Sequence, residues 1–504
     1  MLLIFLTPVV SVFDCTGFWG MMMLQMQHHH NFYLYILRKT FSGRDTMKFE
    51  TTPIKAYQGD EKIAFPEKLA YGCGGLADVG IAVAMSTYLL FYYTDVIKVN
   101  AAAVGTIFLV SRLLSAFTDI LIGLLVDAGK SKQGKARPWI LRMCLPFAAS
   151  GALLFSLPNL PDIGKYVYIF ITYTTSNFFL SSLNIPYGVL NSLMTQNPYE
   201  RASLNIFRMV MSLIGTLAVN NCMLPLIKLL GGGRVGWQLV SALYGTLSVL
   251  LYLVTYCFTK ERVVQEMPVK KVRIPVREDF RLLKQNKYWF MLFLTAITSY
   301  ISAPVSGGIK IYYTQYVLGN STLIGLLTTV NTLAKVAGLF LLSPLVKRFG
   351  KRNSVILGLS ISVGGILIQT LNPRSIPLAV TDNLLRGVGN APITGVSMAM
   401  LADTAEYGYL KSGVHSEGIL FSMMSFGKKI GAAIGSAALP LTLSLCGYST
   451  HSGSPSGSAV NAIQWLSLAL PLVVIVFQIA VLSRYKLDQE YLAILENLKK
   501  QRKA

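Results

Sequence analysis

Twelve long apolar segments recur along the chain, and they restrict its possible folds more than any other feature. Each is close to the roughly 20 apolar residues that a helix needs to cross a bilayer core of about 30 Å. Helices suit that environment because they satisfy every backbone hydrogen bond internally. The predicted spans are 70–94, 102–127, 139–158, 165–193, 202–230, 236–259, 288–316, 322–346, 354–371, 376–402, 417–446 and 461–484. We therefore predict an all-α membrane protein with twelve transmembrane helices in two six-helix halves.

The composition supports this prediction, and the position of the charges gives its orientation. Only 13% of the residues are charged, against roughly 25% in an ordinary soluble domain. A net charge of +22 would suggest a nucleic-acid partner in a soluble protein. Here the Lys and Arg residues concentrate in 130–139, 260–287, 347–353 and the tail after 484, which all fall on one side of the membrane. The positive-inside rule makes that side cytoplasmic. We expect a multi-pass protein of the cell membrane with both termini in the cytoplasm, and no nucleic-acid partner.

The domain boundaries follow from the same pattern. Residues 1–46 fit poorly, because their apolar run is short and interrupted by Pro8, and we expect translation to start at Met47. The first six-helix bundle then covers 47–259 and the second covers 288–484. A basic cytoplasmic linker, 260–287, joins them, and 485–504 form a cytoplasmic tail.

Several kinds of chemistry lack their residues in this sequence. There is no G-x-x-x-x-G-K-[ST] motif, so ATP-driven pumping through a P-loop has no phosphate cradle. The six cysteines form no C-x-x-C pair and no histidine lies in an apolar span. We therefore expect that the protein binds no metal or cofactor and is not an enzyme. The basic connection after the second helix has a counterpart after the eighth, as expected of a transporter with two related halves. Transport would then be driven by an ion gradient or by the gradient of the substrate.

Polar residues inside the predicted spans are the candidate functional groups, because charges at bilayer depth are costly, roughly 2.5–3.5 kcal/mol each. In the second helix, Arg112, Ser115 and Asp119 share one face. They could bind a cation or form a structural pair. The other candidates are Asp78, Ser181, Asn184, Tyr187, Arg208, Lys428 and Lys429. Packing between helices is the alternative role for Ser181 and Asn184. Because Lys428 and Lys429 are neighbours on a helix, only one of them can face a central cavity.

A set of motifs in fixed order resembles the glycoside–pentoside–hexuronide:cation symporter family of the major facilitator superfamily. They are KLAYGCG (68–74), YYTDV (92–96), VGTIFLVSRLLSAFTD (104–119), GKARPW (134–139), NIPYG (184–188), PYERASLNIFR (198–208), IYYTQYVLG (311–319), LADTAEYGYLKSGVHSEG (401–418) and KKIGAAIG (428–435). The resemblance implies the major facilitator fold, alternating access around a midplane cavity, and cation-coupled uptake of a sugar or glycoside. It also implies a monomer surrounded by membrane lipid.

The resemblance also assigns roles to individual residues. The cation-coupling positions match Asp119, Ser115, Ser181, Asn184 and Lys429. The substrate-binding candidates are Asn184, Arg208, Tyr187, Asp78, Ser425 and Lys429, although the family's helix 1 Asp aligns with Val79, one position after Asp78. Structural or gating roles fall on Arg112, Asp403 and Glu406.

Two departures from the family pattern bear on the coupling ion. Ser115 and Asn184 replace carboxylates of the sodium-using melibiose carriers, which leaves Asp119 as the remaining carboxylate of this set. A single buried carboxylate can still bind a proton. We therefore favour H+ over Na+ as the coupling ion. The Trp positions that stack the sugar in melibiose carriers fall on Gly188 and Thr394, so melibiose specificity is not implied. The NIPYG motif resembles the glucuronide and xyloside carriers more closely.

Two other functions remain open at this stage. A lysolipid or lipid carrier of the same fold would have an apolar cavity, whereas Asn184, Arg208 and Lys429 are polar. A sensor that binds sugar without transporting it would use the same residues.

Overall fold

A computed structural model of the chain describes residues 63–128, 134–263, 286–412, 417–448 and 455–487. The described part contains helices and no strands. The predicted leader 1–46, most of the linker 260–287 and residues 488–504 of the tail lie outside it.

Twelve helices account for nearly all of the described residues. They are α1 (Phe65–Val96), α2 (Ala101–Ala128), α3 (Arg137–Leu154), α4 (Asp162–Met194), α5 (Pro198–Leu229), α6 (Gly233–Phe258), α7 (Lys287–Val317), α8 (323–349), α9 (351–371), α10 (Ile376–Ser412), α11 (Glu417–Leu445) and α12 (Gly457–Ser483). Helices α8 and α9 follow each other directly and are separated by the positive φ of Gly350. Eight of the twelve are long and apolar enough to cross a membrane, and α3, α4, α10 and α11 are more polar. The all-α membrane fold predicted from the sequence is confirmed.

The distribution of side chains on α6 shows why these helices suit a bilayer. One face buries small and polar residues together with Tyr244 and Tyr252. The opposite face exposes large apolar side chains, among them Leu239, Leu243 and Leu247. Membrane helices pack through small and polar residues, because lipid offers no hydrophobic gain for burying leucine. The exposed leucines therefore face the lipid.

The chain carries an internal repeat that is visible in both sequence and backbone. Helices α1 and α7 both end in a π-helical turn, at Tyr92–Val96 and Tyr313–Val317, within the related sequences YYTDV (92–96) and YYTQYV (312–317). The α2–α3 and α8–α9 connections each contain a glycine with positive φ, Gly134 at 106° and Gly350 at 79°. We call α1–α6 the first half of the chain and α7–α12 the second half.

Several contacts between the two halves lie near the end of the molecule that carries the α1–α2 connection, which we call the α1–α2 face. Between α5 and α8, the Asn221 amide donates to Thr329 Oγ1 at 2.9 Å. Between α2 and α11, a Cβ atom on Gly105 would lie 2.7 Å from the Pro440 ring. The halves are therefore packed closely together at this face.

The opposite end, which we call the α2–α3 face, is where the linker begins. The carboxylate of Glu261 accepts hydrogen bonds from the backbone N–H groups of residues 135–137 at 2.8–2.9 Å, at the start of α3. Helix N-termini stabilise anions, because their first N–H groups lack partners within the helix. Arg262 forms a two-pronged ion pair with Glu67 of α1, with both distances 2.7 Å. The start of the linker thus ties α6 to α1 and α3.

Candidate functional site

Three polar side chains from three helices meet within the first half. The Asn184 amide of α4 donates to Asp78 Oδ1 of α1 at 2.8 Å. Its carbonyl oxygen accepts from the Arg208 guanidinium of α5 at 3.3 Å. Asn184 therefore bridges a carboxylate and a guanidinium, using both ends of one amide. This arrangement supplies the partner for Arg208 that its local sequence does not show.

Two buried tyrosines, Tyr187 and Tyr71, pack next to this cluster. Arg208 lies over the Tyr187 ring with 4.6 Å between the guanidinium carbon and the ring centroid. The Tyr187 ring stacks on Tyr71 at 4.7 Å and its hydroxyl donates to the Tyr71 carbonyl. Both rings are fully buried. Tyr187 thus holds Arg208 in place, through a cation–π contact worth about 0.5–2 kcal/mol.

Glycines in α1 allow this close packing. A Cβ atom on Gly74 would lie 2.6 Å from the Tyr187 ring, and one on Gly75 would lie 2.8 Å from the Arg208 carbonyl oxygen. The YGCGG segment is therefore the surface on which Tyr187 and the Arg208 backbone rest. The sequence motif predicts this role only in part, because glycines permit either close packing or a helix break.

A second polar cluster joins the two halves. Lys429 of α11 forms an ion pair with Asp119 Oδ2 of α2. The other carboxylate oxygen, Asp119 Oδ1, is buried and accepts no hydrogen bond from the described residues. The neighbouring Lys428 lies over the Tyr300 ring, 5.5 Å from its centroid. The two adjacent lysines thus point to different partners, as their angular separation predicts.

The remaining predicted residues of α2, α4 and α11 lie apart from these contacts. Ser115 donates to the carbonyl of Arg112 in its own helix at 2.8 Å. Arg112 donates to the buried Tyr173 hydroxyl of α4 at 3.1 Å. Ser181 is half-buried and Ser425 is exposed. The structure therefore divides the predicted cation-coupling set between two places, with Asn184 beside Asp78 and Asp119 beside Lys429.

Of the two predicted gating residues of α10, one has a described partner. Asp403 pairs with Lys351 at the start of α9, 2.7 Å away. The Glu406 side chain lies outside the part of the chain that the structure describes. The roles of all these residues remain predictions.

The chain matches the family model described as MFS/sugar transport protein over residues 70–489. The chain belongs to this family. The match covers all twelve helices except the first turns of α1, so the resemblance found in the sequence is confirmed at the family level.

Several relatives of this MFS/sugar transport protein are similar along most of its length. An isoprimeverose transporter of Lactiplantibacillus pentosus is 31% identical, covering 85% of this chain and 90% of its own. The inner membrane symporter YicJ of Escherichia coli is 31% identical over 84% of this chain and 92% of its own. A glucuronide carrier protein homolog of Escherichia coli is 32% identical over 77% and 85%.

Solved structures support the same fold. A D-xylose–proton symporter has a TM-score of 0.58 at 15% identity, covering 82% of this chain and 97% of its own. A bacterial homolog of the human lysosomal transporter Spinster, in an inward-facing conformation, also has a TM-score of 0.58, at 14% identity over 86% and 96%. At such identities the likeness shows the major facilitator fold alone. Together with the family match, it makes this chain a multi-pass membrane transporter.

Proposed function

We propose that this protein is a symporter that couples the uptake of a sugar or glycoside to the entry of protons. The ion pair between Asp119 and Lys429 carries the proposal, because it joins α2 and α11 across the two halves. Protonation of Asp119 would neutralise the carboxylate and remove its attraction for Lys429. The same group would then bind the coupling ion and control the contact between the halves, as alternating access requires.

The cluster of Asp78, Asn184 and Arg208 is the proposed sugar site. Sugar hydroxyls both donate and accept hydrogen bonds, and a carboxylate and a guanidinium offer the complementary groups. The names of the relatives support this choice, since they include an isoprimeverose transporter and a glucuronide carrier homolog. A xyloside or a glucuronide is the substrate class that we propose.

Proton coupling is favoured over sodium coupling by the ligands available at Asp119. Na+ prefers several oxygen ligands, whereas Ser115 offers only a neutral hydroxyl where the sodium-using melibiose carriers have a carboxylate. Asn184, also predicted as a cation ligand, already bridges Asp78 and Arg208. One carboxylate with a free buried oxygen suits a proton.

We also propose that the protein lies in the cell membrane as a monomer with both termini in the cytoplasm. The α2–α3 face is then cytoplasmic, and the α1–α2 face is external. The concentration of Lys and Arg in 130–139 and 347–353 supports this orientation.

Uptake by proteoliposomes tests the proposal. Radiolabelled xylosides, glucuronides and galactosides are offered under an imposed pH gradient, and separately under a sodium gradient. We expect a xyloside or glucuronide to accumulate with the pH gradient. Accumulation that follows sodium and ignores pH would make Na+ the coupling ion.

An Asp119→Asn variant tests the coupling residue. We expect it to lose gradient-driven accumulation and to keep counterflow of labelled sugar, since the sugar site is intact. Asp162→Asn is the matched control, because Asp162 lies at the exposed start of α4, paired with Lys165 at 2.9 Å. An Asp119→Asn protein that still accumulates sugar excludes Asp119 from coupling. Absence of counterflow in the unsubstituted protein, with sugar still bound, would favour the sensor.

A further inference from the structure

A third polar cluster, separate from the two clusters above, seals the α1–α2 face. Asp95 lies in the last turn of α1, and its Oδ1 atom accepts hydrogen bonds from two tyrosines of the second half. These are Tyr316 of α7 and Tyr448, which follows α11 and donates at 2.6 Å. The Oδ2 atom accepts from Thr94 at 2.6 Å. One carboxylate of the first half therefore holds two separate elements of the second half.

Aromatic packing closes the space around this carboxylate. The Thr94 and Tyr312 hydroxyls are hydrogen-bonded across the halves at 2.7 Å, and both residues are fully buried. The Tyr448 ring packs edge-on against Tyr312, with ring centroids 5.7 Å apart. The seal thus consists of tyrosine rings: the Tyr316 and Tyr448 hydroxyls bond to the carboxylate, and the Tyr312 hydroxyl bonds to Thr94 beside it.

The hydrogen-bonding strength of this cluster depends on the charge of Asp95. The groups that face it are Thr94 from α1, Lys98 from the α1–α2 connection, Tyr312 and Tyr316 from α7, and Tyr448. Burial and the adjacent Asp95 carboxylate raise the pKa of the Tyr448 phenol, so it remains a hydrogen-bond donor. Lysine and tyrosine titrate on the alkaline side of neutrality, and a carboxyl group titrates on the acid side. Acidification therefore changes Asp95 and leaves its partners as they are.

We propose that Asp95 is a second proton-binding site, distinct from Asp119, whose protonation releases the seal between the halves at the α1–α2 face. Hydrogen bonds to an ionised carboxylate are roughly twice as strong as those between neutral groups. A proton on Asp95 removes that advantage from the bonds of Tyr316 and Tyr448 together. Protons arriving at this face would then open the side from which the sugar enters.

This inference rests on the proposed function in one respect: the α1–α2 face must open during transport. The experiment that tests it needs neither sugar nor an ion gradient. Spin labels are attached to cysteines introduced at Ile163 of α4 and Leu371 of α9, in a background without the native cysteines. Both positions lie at the α1–α2 face, one in each half, and both are at least 80% exposed. Double electron–electron resonance then measures the distance between the labels in nanodiscs at pH 7.5 and pH 5.5.

We expect a single short distance at pH 7.5 and a longer, open population at pH 5.5. The ratio of open to closed protein should rise about tenfold, which corresponds to about 1.4 kcal/mol. Asp95→Asn, which mimics the neutral carboxyl group, should show the open population at both pH values. Tyr316→Phe and Tyr448→Phe should each shift the ratio in the same direction at pH 7.5.

Tyr313→Phe is the matched control, because Tyr313 lies in the same π-helical turn but donates within its own half, to the Pro373 carbonyl. We expect it to remain closed at pH 7.5. An Asp95→Asn protein that stays closed at pH 7.5, or one that still opens on acidification, would overturn the proposal. Loss of the pH response in Asp119→Asn together with its retention in Asp95→Asn would assign pH sensing to Asp119. If Asp95→Asn opens as expected while proteoliposomes show no proton-driven uptake, the proposed proton coupling is wrong. The proposal that protonation of Asp95 releases the seal is then still supported.

Discussion

Replacing Gly74 of α1 by alanine should weaken sugar binding although Gly74 carries no polar group. The new Cβ atom would lie 2.6 Å from Cε2 and 2.9 Å from Cζ of the Tyr187 ring. Carbon atoms pack best at about 3.5–4.0 Å, so the ring has to move by about 0.9 Å. Arg208 rests on this ring, and its hydrogen bond to Asn184 is already 3.3 Å long. A shift of that size breaks the bond.

The expected magnitude follows from two opposing effects. Overpacking costs about 1–3 kcal/mol, and replacing a helical glycine by alanine returns about 1 kcal/mol. The net loss of stability is then about 0–2 kcal/mol. An Arg208 that is displaced from the proposed sugar site loses a charged hydrogen bond to the sugar, worth about 1.5–3 kcal/mol, so sugar affinity should fall at least about tenfold.

The assay is sugar binding to the purified protein by calorimetry, together with its melting temperature in detergent. Gly80→Ala is the control, because Gly80 lies in the same helix and, among the described residues, no heavy atom outside the adjoining backbone of α1 lies within 4 Å of its added Cβ. We expect Gly80→Ala to bind sugar normally and to melt at the same temperature or slightly higher. The reasoning is wrong if Gly74→Ala and Gly80→Ala bind sugar equally well.

Three further predictions concern charged groups. Asp382 is 3% exposed, pairs with Arg386 at 2.7 Å and also interacts with Lys310; Asp382→Leu should lower the free energy of unfolding by about 3–5 kcal/mol, because two cations lose their carboxylate, and an unchanged melting temperature in detergent would contradict this. Lys429→Gln should abolish proton-driven accumulation whereas Lys428→Gln should retain it, and equal losses in uptake assays would contradict their different partners. Glu261→Ala removes the acceptor for three backbone N–H groups of α3 and should lower the melting temperature more than Glu261→Gln, which still accepts.

The ends of the helices could be predicted from the sequence to within a few residues wherever the apolar segment and the helix end at the same place. The spans predicted at 236–259 and 288–316 correspond to Gly233–Phe258 and Lys287–Val317. The prediction stops too early for α10, at residue 402, whereas the helix continues to Ser412. The last turns of α10 are polar. Hydropathy identifies the apolar part of a helix that lies within the bilayer, so it misses helical turns that extend beyond it.

Site residues could be nominated from the sequence, but their partners could not. The charge of Arg208 requires a partner inside the bundle, yet nothing local shows that Asn184 stands between it and Asp78. In the sequence, Asp95 looks like a residue that only marks the end of a helix. Its partners Tyr316 and Tyr448 could not be found there, because they follow it by 221 and 353 residues. Contacts of that separation depend on how the two halves meet, which no local pattern encodes.

The ends of α1 and α7 share the sequence Tyr-Tyr-Thr, but the tyrosines of the two copies bind different partners. Tyr93 and Tyr313 both anchor to the end of the third helix of their own half or the loop just after it, at the carbonyls of Leu154 and Pro373. Tyr92 also stays within its half, donating to Phe155 at 2.7 Å, whereas its counterpart Tyr312 crosses to Thr94. A duplicated segment thus retained one tyrosine as an anchor in both copies and assigned the other, in one copy only, to the opposite half. Because both copies read Tyr-Tyr-Thr at this point, this difference in use comes from the surroundings of each copy and not from the tyrosines themselves.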